Sequence, residues 1–216
     1  MSLRGAIFDM DGLLLDTERL TILCYQRAAD DVGLIDFEPV LLGLIGVRRK
    51  ESEDILRARI DDLAIFEAFL EKSTANSAAI KIEDIPIKAG AVELLKGLKE
   101  KGLPCAVATS TQTEKARHHL EVSGLLGFFE TVTGGDQVVS PKPAPDIYLR
   151  AAKSLGLGAT DCAAFEDSDP GTRAAVASGA RVVQVPDILQ PSPEVRALGH
   201  VIAPTLLLGA TQIGLI

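Results

Sequence analysis

The chain has 216 residues, of which 47% are hydrophobic and 24% charged, and its formal net charge is −8. A chain of this length can bury the core of one large domain, or of a domain with a smaller appendage. The acidic balance argues against nucleic acid or an anionic membrane as the main partner, because both are polyanions. A small anionic substrate is still compatible with it, because a metal ion or a few basic groups can reverse the potential locally.

The first predicted element is a short strand formed by the apolar run LRGAI, residues 3–7. Asp9 and Asp11 follow it in the stretch FDMDGLLLDTE. Strand residues two apart project to the same side, so the two carboxylates would repel each other unless a cation lies near them. A plain turn is the alternative, because Asp-Gly is a common turn dipeptide.

The segment 17–82 predicts helices and no clear strand. Its helical stretches are residues 18–33, 48–60 and 63–81. A gap of this length far exceeds an ordinary connection between a strand and a helix. We therefore expect a helical cap domain at 17–82, inserted into a core domain made of 1–16 and 83–216.

From residue 105 onward, short apolar runs alternate with helical segments. Strands are predicted at 105–110, 130–135, 162–167 and 181–186, and helices at 113–123, 145–156 and 170–179. Thr111 and Glu114 have the spacing of a capping box at the first of these helices, and Asp169 is a candidate N-cap for the last. The alternation predicts a doubly wound, Rossmann-like α/β fold with a parallel sheet. A ligand site is then expected outside the carboxyl ends of the strands.

The C-terminal segment 197–216 lacks Asp, Glu, Lys and Arg but contains His200 and Pro204. We expect a terminal strand and helix of the core there, not a membrane span. We also expect no signal peptide, because charged residues interrupt the N-terminal apolar run. The chain has three widely spaced cysteines, which are expected to be reduced packing residues of a cytoplasmic protein.

The predicted strand ends and the loop after the third strand carry polar and charged side chains: Asp9 and Asp11, Thr109 and Ser110, Lys142, and Glu166 with Asp167. Parallel strands bring these groups to one edge of the sheet. Clustered carboxylates form the hard oxygen site that Mg²⁺ prefers. An aspartate can attack phosphorus, and a second acid can move the proton. Separately, the groups could be helix caps and a solvated lysine; together they favour phosphoryl transfer.

Four stretches, FDMDGLLLDTE, VATST, SPKPAPDIY and FEDSDPG, resemble the four successive motifs of the haloacid dehalogenase (HAD) superfamily. The closest resemblance is to its β-phosphoglucomutase-like phosphatase branch, which has a helical cap after the first motif. The resemblance implies catalytic roles for four residues and a Mg²⁺ site with four ligand residues. The catalytic residues would be Asp9 as nucleophile, Asp11 as general acid/base, Thr109 as phosphate ligand and Lys142 as stabilising cation. The metal would be held by Asp9, the backbone carbonyl of Asp11, Glu166 and Asp167.

The resemblance also suggests how substrate is held. Thr109 and Ser110 would bind the phosphate, and Arg49, in the cap stretch GVRRKES, would hold the distal part of a sugar phosphate. An exposed basic helix start is the alternative for Arg49. His118, His119 and His200 are expected on the surface or in packing positions.

Three functions stay open at this point. A phosphatase of small phosphorylated metabolites is favoured, with sugar phosphates or a nucleotide-type monoester as substrate. A β-phosphoglucomutase-like hexose-phosphate mutase is the alternative, but the place where those mutases have a histidine holds Thr21. A catalytically silent binding protein is disfavoured by the intact acids and lysine. We expect no nucleic-acid or membrane partner; the sequence leaves the oligomeric state open and is compatible with a monomer.

Overall fold

The computed structural model describes residues 3–45, 47 and 49–216, without the side chains of residues 49 and 50. The chain forms two compact units, one of Met1–Asp16 with Pro86–Ile216 and one of Thr17–Ile85. Each unit has its own cluster of buried apolar side chains. Within the described ranges, no helix is long and apolar enough to cross a membrane.

The larger unit is built on one six-stranded sheet with the strand order β3-β2-β1-β4-β5-β6. All neighbouring strands pair in parallel. The strands are β1 Gly5–Phe8, β2 Cys105–Ala108, β3 Thr131–Thr133, β4 Cys162–Glu166, β5 Arg181–Gln184 and β6 Val201–Ile202. The predicted parallel α/β fold is therefore confirmed.

Helices connect these strands and cover the sheet. The helices of the larger unit are α5 Ala91–Glu100, α6 Thr113–Val122, α7 Asp146–Ser154, α8 Asp169–Ala177, α9 Pro193–Arg196 and α10 Leu206–Gln212. Strand β6 and helix α10 are the terminal strand and helix that the uncharged C-terminal segment predicted.

The central strands are short and completely buried, which explains their composition. Strands β1, β2 and β4 show buried residues at every position. A strand covered on both faces reads as a continuous apolar run and does not alternate. The ring of Phe8 stacks on that of Phe165 in the neighbouring strand, with centroids 4.8 Å apart and planes 6° from parallel.

The described residues of the smaller unit form helices and the loops between them. Its α-helices are α1 Thr17–Asp31, α2 Glu38–Leu42, α3 Arg49–Arg59 and α4 Leu63–Ala79. Phe69 is fully buried among them and meets the rings of Tyr25 and Phe37 edge-on, at 5.7 and 6.0 Å between centroids. Helix α4 begins after Asp62, whose carboxylate accepts hydrogen bonds from two backbone N–H groups of the first turn.

Two predicted helix caps are wrong. The N-cap of α6 is Gln112, without a side-chain capping bond, and Asp136 from the loop after β3 accepts from the Thr113 N–H at 2.7 Å. The N-cap of α8 is Ser168, not Asp169. In both cases local spacing suggested a cap, but a group supplied by the tertiary structure or a neighbouring residue satisfies the N–H.

Two helical glycines provide a matched test of how closely α10 lies on the sheet. A Cβ at Gly209 would lie 2.3 Å from Cγ1 of Val183 in β5, whereas a Cβ at Gly97 in α5 would meet nothing within 4 Å. We expect Gly209→Ala to destabilise the fold by about 1–3 kcal/mol through overpacking. Gly97→Ala should stabilise it by about 0.5–1 kcal/mol, because alanine is the better helix former.

Thermal unfolding of the two variants beside the wild-type protein, followed by circular dichroism, measures both effects. The expected shifts of Tm have opposite signs. An unchanged or raised Tm for Gly209→Ala would show that α10 does not need the close approach.

Candidate active site

The candidate site lies at the carboxyl edge of the sheet, where β1 and β4 end side by side. Asp9 follows β1, and its N–H donates to the Phe165 carbonyl at 3.0 Å, so its backbone still belongs to the sheet. Glu166 is the last residue of β4, and Asp167 comes next. The parallel register therefore places three carboxylates at one edge. Asp9 and Asp167 are each 6% exposed and Glu166 is fully buried.

Lys142 is the buried cation of this cluster. Its side chain comes from the loop between β3 and α7 and is 8% exposed. Its Nζ donates to Oδ1 of Asp9 and to Oε1 of Glu166, each at 2.5 Å, and to the Ala108 carbonyl at 3.1 Å. The ammonium thus uses all three of its donors, and two of them go to carboxylates that would otherwise repel each other.

Glu166 is fixed by five hydrogen bonds. Its Oε1 accepts from Lys142 and from the buried hydroxyl of Tyr148, the latter at 2.7 Å. Its Oε2 accepts from the Asp167 N–H and from both the N–H and the hydroxyl of Ser168, at 3.0–3.2 Å. Gly171 allows this arrangement, because a Cβ there would lie 1.9 Å from Oε1. The carboxylate is therefore held in one orientation facing Lys142.

Burial and neighbouring charges both shift the pKa values of these groups. Burial raises the pKa of the Asp9 carboxyl well above its usual value; the Lys142 ammonium opposes this shift, and the Glu166 and Asp11 charges add to it. Burial alone would lower the pKa of Lys142, but Asp9 and Glu166 outweigh it and the pKa lies above its ordinary value. Lys142 therefore stays charged. Burial, with Glu166 beside it, raises the pKa of Tyr148, so its hydroxyl remains a donor.

Asp11 contacts the loop after β2. Its Oδ2 accepts hydrogen bonds from the hydroxyls of Thr109, at 3.1 Å, and of Thr111, at 2.8 Å. The Thr109 hydroxyl in turn accepts from the Thr111 N–H at 3.1 Å. The predicted proton carrier and the predicted phosphate ligand are thus in direct contact, and both donors hold the same oxygen of Asp11.

The loop after β3 packs closely on the segment that carries these threonines. The Gly135 N–H donates to the Thr111 carbonyl at 3.0 Å. A Cβ at Gly135 would lie 2.5 Å from the Ser110 carbonyl oxygen, and one at Gly134 would lie 2.4 Å from the Thr113 nitrogen. The two glycines therefore allow a close backbone approach that orders the start of α6.

The donor set fits a hard divalent cation. One carboxylate oxygen each from Asp9, Glu166 and Asp167 lies within 4.8 Å of the others. Three acids against one lysine leave an excess of negative charge, and oxygen ligands of this kind suit Mg²⁺. The five hydrogen bonds of Glu166 already occupy both of its oxygens.

The structure brings together six of the eight predicted site residues: Asp9, Asp11, Thr109, Lys142, Glu166 and Asp167. Ser110 follows Thr109 and is exposed. Arg49 begins α3, but its side chain lies outside the described part of the chain.

Sequence reasoning missed Tyr148 and Thr111. A tyrosine on the buried face of a helix needs a partner for its hydroxyl, and that rule could have drawn attention to Tyr148 but not to Glu166 as its partner. Thr111 stands two residues after Thr109 and was assigned to a cap.

The three cysteines are free and buried, and His119 is buried as well, with a pKa lowered mainly by burial.

Comparison with known proteins gives consistent results. A family model described as haloacid dehalogenase-like hydrolase matches residues 6–185. A phosphorylated carbohydrates phosphatase of Thermotoga maritima is 32% identical over 177 residues, which is 82% of each chain. A fructose-1-phosphate phosphatase of Escherichia coli is 32% identical over 184 residues, 84% of this chain and 95% of the relative. A Thermotoga maritima crystal structure assigned to the β-phosphoglucomutases superposes with a TM-score of 0.79, at 29% identity, over 99% of this chain and 100% of the other.

Replacing Lys142 should lower the free energy of unfolding by an amount that depends on pH. Lys142→Met leaves Asp9 and Glu166 without their partner, and we expect a loss of about 3–5 kcal/mol of unfolding free energy at about pH 8. Without Lys142 the pKa of Asp9 in the folded protein rises further above its unfolded value. The folded state then binds more protons than the unfolded state, so the loss should shrink as the pH falls toward about 5.5.

Urea unfolding at both pH values, in buffer with a chelator, measures this difference from the wild-type protein. The exposed Lys153 gives the control, since Lys153→Met should change the free energy of unfolding by less than about 0.5 kcal/mol at either pH. An equal loss for Lys142→Met at both pH values would contradict the prediction.

Proposed function

Because the chain belongs to the haloacid dehalogenase-like hydrolase family, we propose that it is a Mg²⁺-dependent phosphatase of small phosphorylated metabolites. The observation that carries the proposal is the contact between the groups that this chemistry needs. Lys142 bonds the predicted nucleophile Asp9, and Thr109 bonds the predicted proton carrier Asp11, all at one edge of the sheet.

The metal would be held by the carboxylates of Asp9 and Asp167, with the backbone carbonyl of Asp11 as a further oxygen ligand. Glu166 would reach the ion through water, because its own oxygens already accept five hydrogen bonds. When bound, Mg²⁺ supplies positive charge that offsets the repulsion between the carboxylates and a phosphate group.

In the first half of the reaction, a carboxylate oxygen of Asp9 attacks phosphorus. The new O–P bond forms as the bond to the ester oxygen of the substrate breaks, which gives an aspartyl-phosphate. Asp11 gives its proton to the departing oxygen, so the product leaves as an alcohol. The Thr109 hydroxyl and the Lys142 ammonium would stabilise the charge that develops on the phosphate oxygens. Each would exchange a hydrogen bond of the free protein, to Asp11 and to Asp9 respectively, for one to phosphate.

In the second half, water attacks the aspartyl-phosphate. Asp11 is now ionised and takes the proton of that water, which restores its acid form. The Asp9–phosphorus bond breaks, inorganic phosphate leaves and Asp9 returns to its carboxylate. The hydroxyls of Thr109 and Thr111 both bond Oδ2 of Asp11 and so orient its carboxyl group.

The relatives support sugar phosphates as the substrate class. The names of the two curated relatives refer to phosphorylated carbohydrates and to fructose 1-phosphate. We propose that the helical unit Thr17–Ile85 acts as the cap that selects among such substrates, and that Arg49 in it binds the distal part of the substrate.

One residue supports hydrolysis over mutase activity. A mutase must protect its aspartyl-phosphate from water while the intermediate reorients. At the position where the related mutases place a histidine, this chain has Thr21, whose hydroxyl donates to the Thr17 carbonyl of its own helix at 3.0 Å. A side chain engaged in this way offers no imidazole to time proton transfer.

A phosphate-release assay over a panel of sugar phosphates and nucleoside monophosphates, with Mg²⁺ present, tests the proposal. We expect the wild-type protein to release phosphate from at least one sugar phosphate. Asp9→Asn, which keeps the shape of the side chain, should lower kcat by about 1000-fold or more, because the amide cannot act as nucleophile. No release from any monoester would refute the phosphatase. Conversion of β-glucose 1-phosphate to glucose 6-phosphate, dependent on a bisphosphate activator, would establish the mutase instead.

Substitutions of Thr111 test the role of the loop after β2. Thr111→Val keeps the size of the side chain but removes the hydroxyl that holds Asp11, and we expect kcat to fall by about 10-fold with KM nearly unchanged. Thr111→Ser keeps the hydroxyl and should stay within about 3-fold of the wild-type kcat. Steady-state kinetics on the best substrate measure both, and an equal loss in the two variants would show that the hydroxyl is not the cause.

A further inference from the structure

Gln184 is a buried polar residue that the four motifs do not include. It ends β5, is 1% exposed and pairs in the parallel register with Glu166 at the end of β4. Its backbone is part of the sheet, since its carbonyl accepts from the Ala203 N–H at 2.9 Å. A long polar side chain at this position therefore lies next to the loop that carries Asp167.

The side-chain amide uses both of its ends. Its Nε2 donates to the backbone carbonyl of Asp167 and to Oδ1 of Asp169, each at 3.3 Å. Its Oε1 lies 2.9 Å from Nε2 of His200. A carbonyl and a carboxylate can only accept, so the NH₂ group must face them and Oε1 must face an N–H. His200 therefore carries its proton on Nε2 and holds the amide in this orientation.

The contacts extend beyond Asp167. The second carboxylate oxygen of Asp169 accepts from the Ser192 N–H at 3.0 Å, which ties the start of α8 to the segment after β5. Within the loop itself, the N–H groups of Asp167 and Ser168 both donate to Glu166. The Asp167 carbonyl has Gln184 as its partner, so the amide fixes the peptide group between Asp167 and Ser168.

We propose that Gln184 is a positioning residue for the divalent ion, which holds the backbone of Asp167 so that its carboxylate stays aimed toward Asp9. His200 fixes the amide of Gln184 and so affects the position of Asp167 indirectly. This inference rests on the proposed function, because it assumes that Asp167 is a metal ligand.

Isothermal titration of the chelator-treated protein with Mg²⁺ tests the proposal without turnover. Gln184→Met removes the polar ends at similar size, and Gln184→Glu replaces the donor with an oxygen that faces two acceptors. We expect the Kd for Mg²⁺ to rise by about 10-fold in the first variant and at least as much in the second. His200→Phe leaves the amide in place but unanchored, and should raise the Kd by about 3-fold.

Two controls separate positioning from general loss of stability. Val183→Ala removes buried apolar volume from the same strand and should lower Tm while leaving the Kd for Mg²⁺ within about 2-fold. Asp167→Ala should abolish binding. If a Gln184 variant does not fold, the Kd of His200→Phe for Mg²⁺ decides the test.

The outcomes distinguish the role of Gln184 from the proposed phosphatase activity. Wild-type affinity for Mg²⁺ in both Gln184 variants, whatever their Tm, would overturn the positioning role and leave the phosphatase intact. A rise in Kd for Val183→Ala as large as that for Gln184→Met would overturn it as well. Failure of the wild-type protein to bind Mg²⁺ would overturn both the metal site and the role of Gln184.

Discussion

The buried ammonium of Lys142 is the interaction on which the site depends. Asp9 and Glu166 end adjacent strands and are almost completely removed from water. Two ionised carboxylates in such a place repel each other and lose their hydration. Lys142 bonds one oxygen of each and one backbone carbonyl, so it makes their close approach tolerable. Without this cation, holding both ionised acids at the same edge would cost the folded state free energy.

The surrounding residues make this arrangement rigid. Tyr148 and Ser168 complete the hydrogen bonds of Glu166, and Gly171 leaves room for the carboxylate. Each of these groups comes from a helix start or a helix face beside the strand ends. The free energy gained by packing the sheet and its helices therefore also fixes the geometry of the charged groups.

Particular residues show how far the sequence could predict this arrangement. Asp9, Lys142 and Glu166 were found because apolar runs mark the strands and parallel strands align their ends. Thr111 and Asp136 were not found, because a hydroxyl or carboxylate at a loop has several possible partners and only the tertiary structure selects one. The amide of Gln184 is a similar case: its partners lie in two other segments of the chain, and no local pattern indicates them.

The excess negative charge of the cluster supports the proposed cation site. Asp9, Glu166 and Asp167 supply three carboxylates against one ammonium, so the site is negative where a phosphate anion would bind. In the free protein Lys142 does not offset this charge, because its three donors are used within the cluster. In the free protein burial, with the charges of Glu166 and Asp11 added, raises the pKa of Asp9. A divalent ion would offset the excess negative charge and also attract the phosphate. The same repulsion that makes the site costly to fold would therefore give it affinity for a metal and, through the metal, for a phosphorylated substrate.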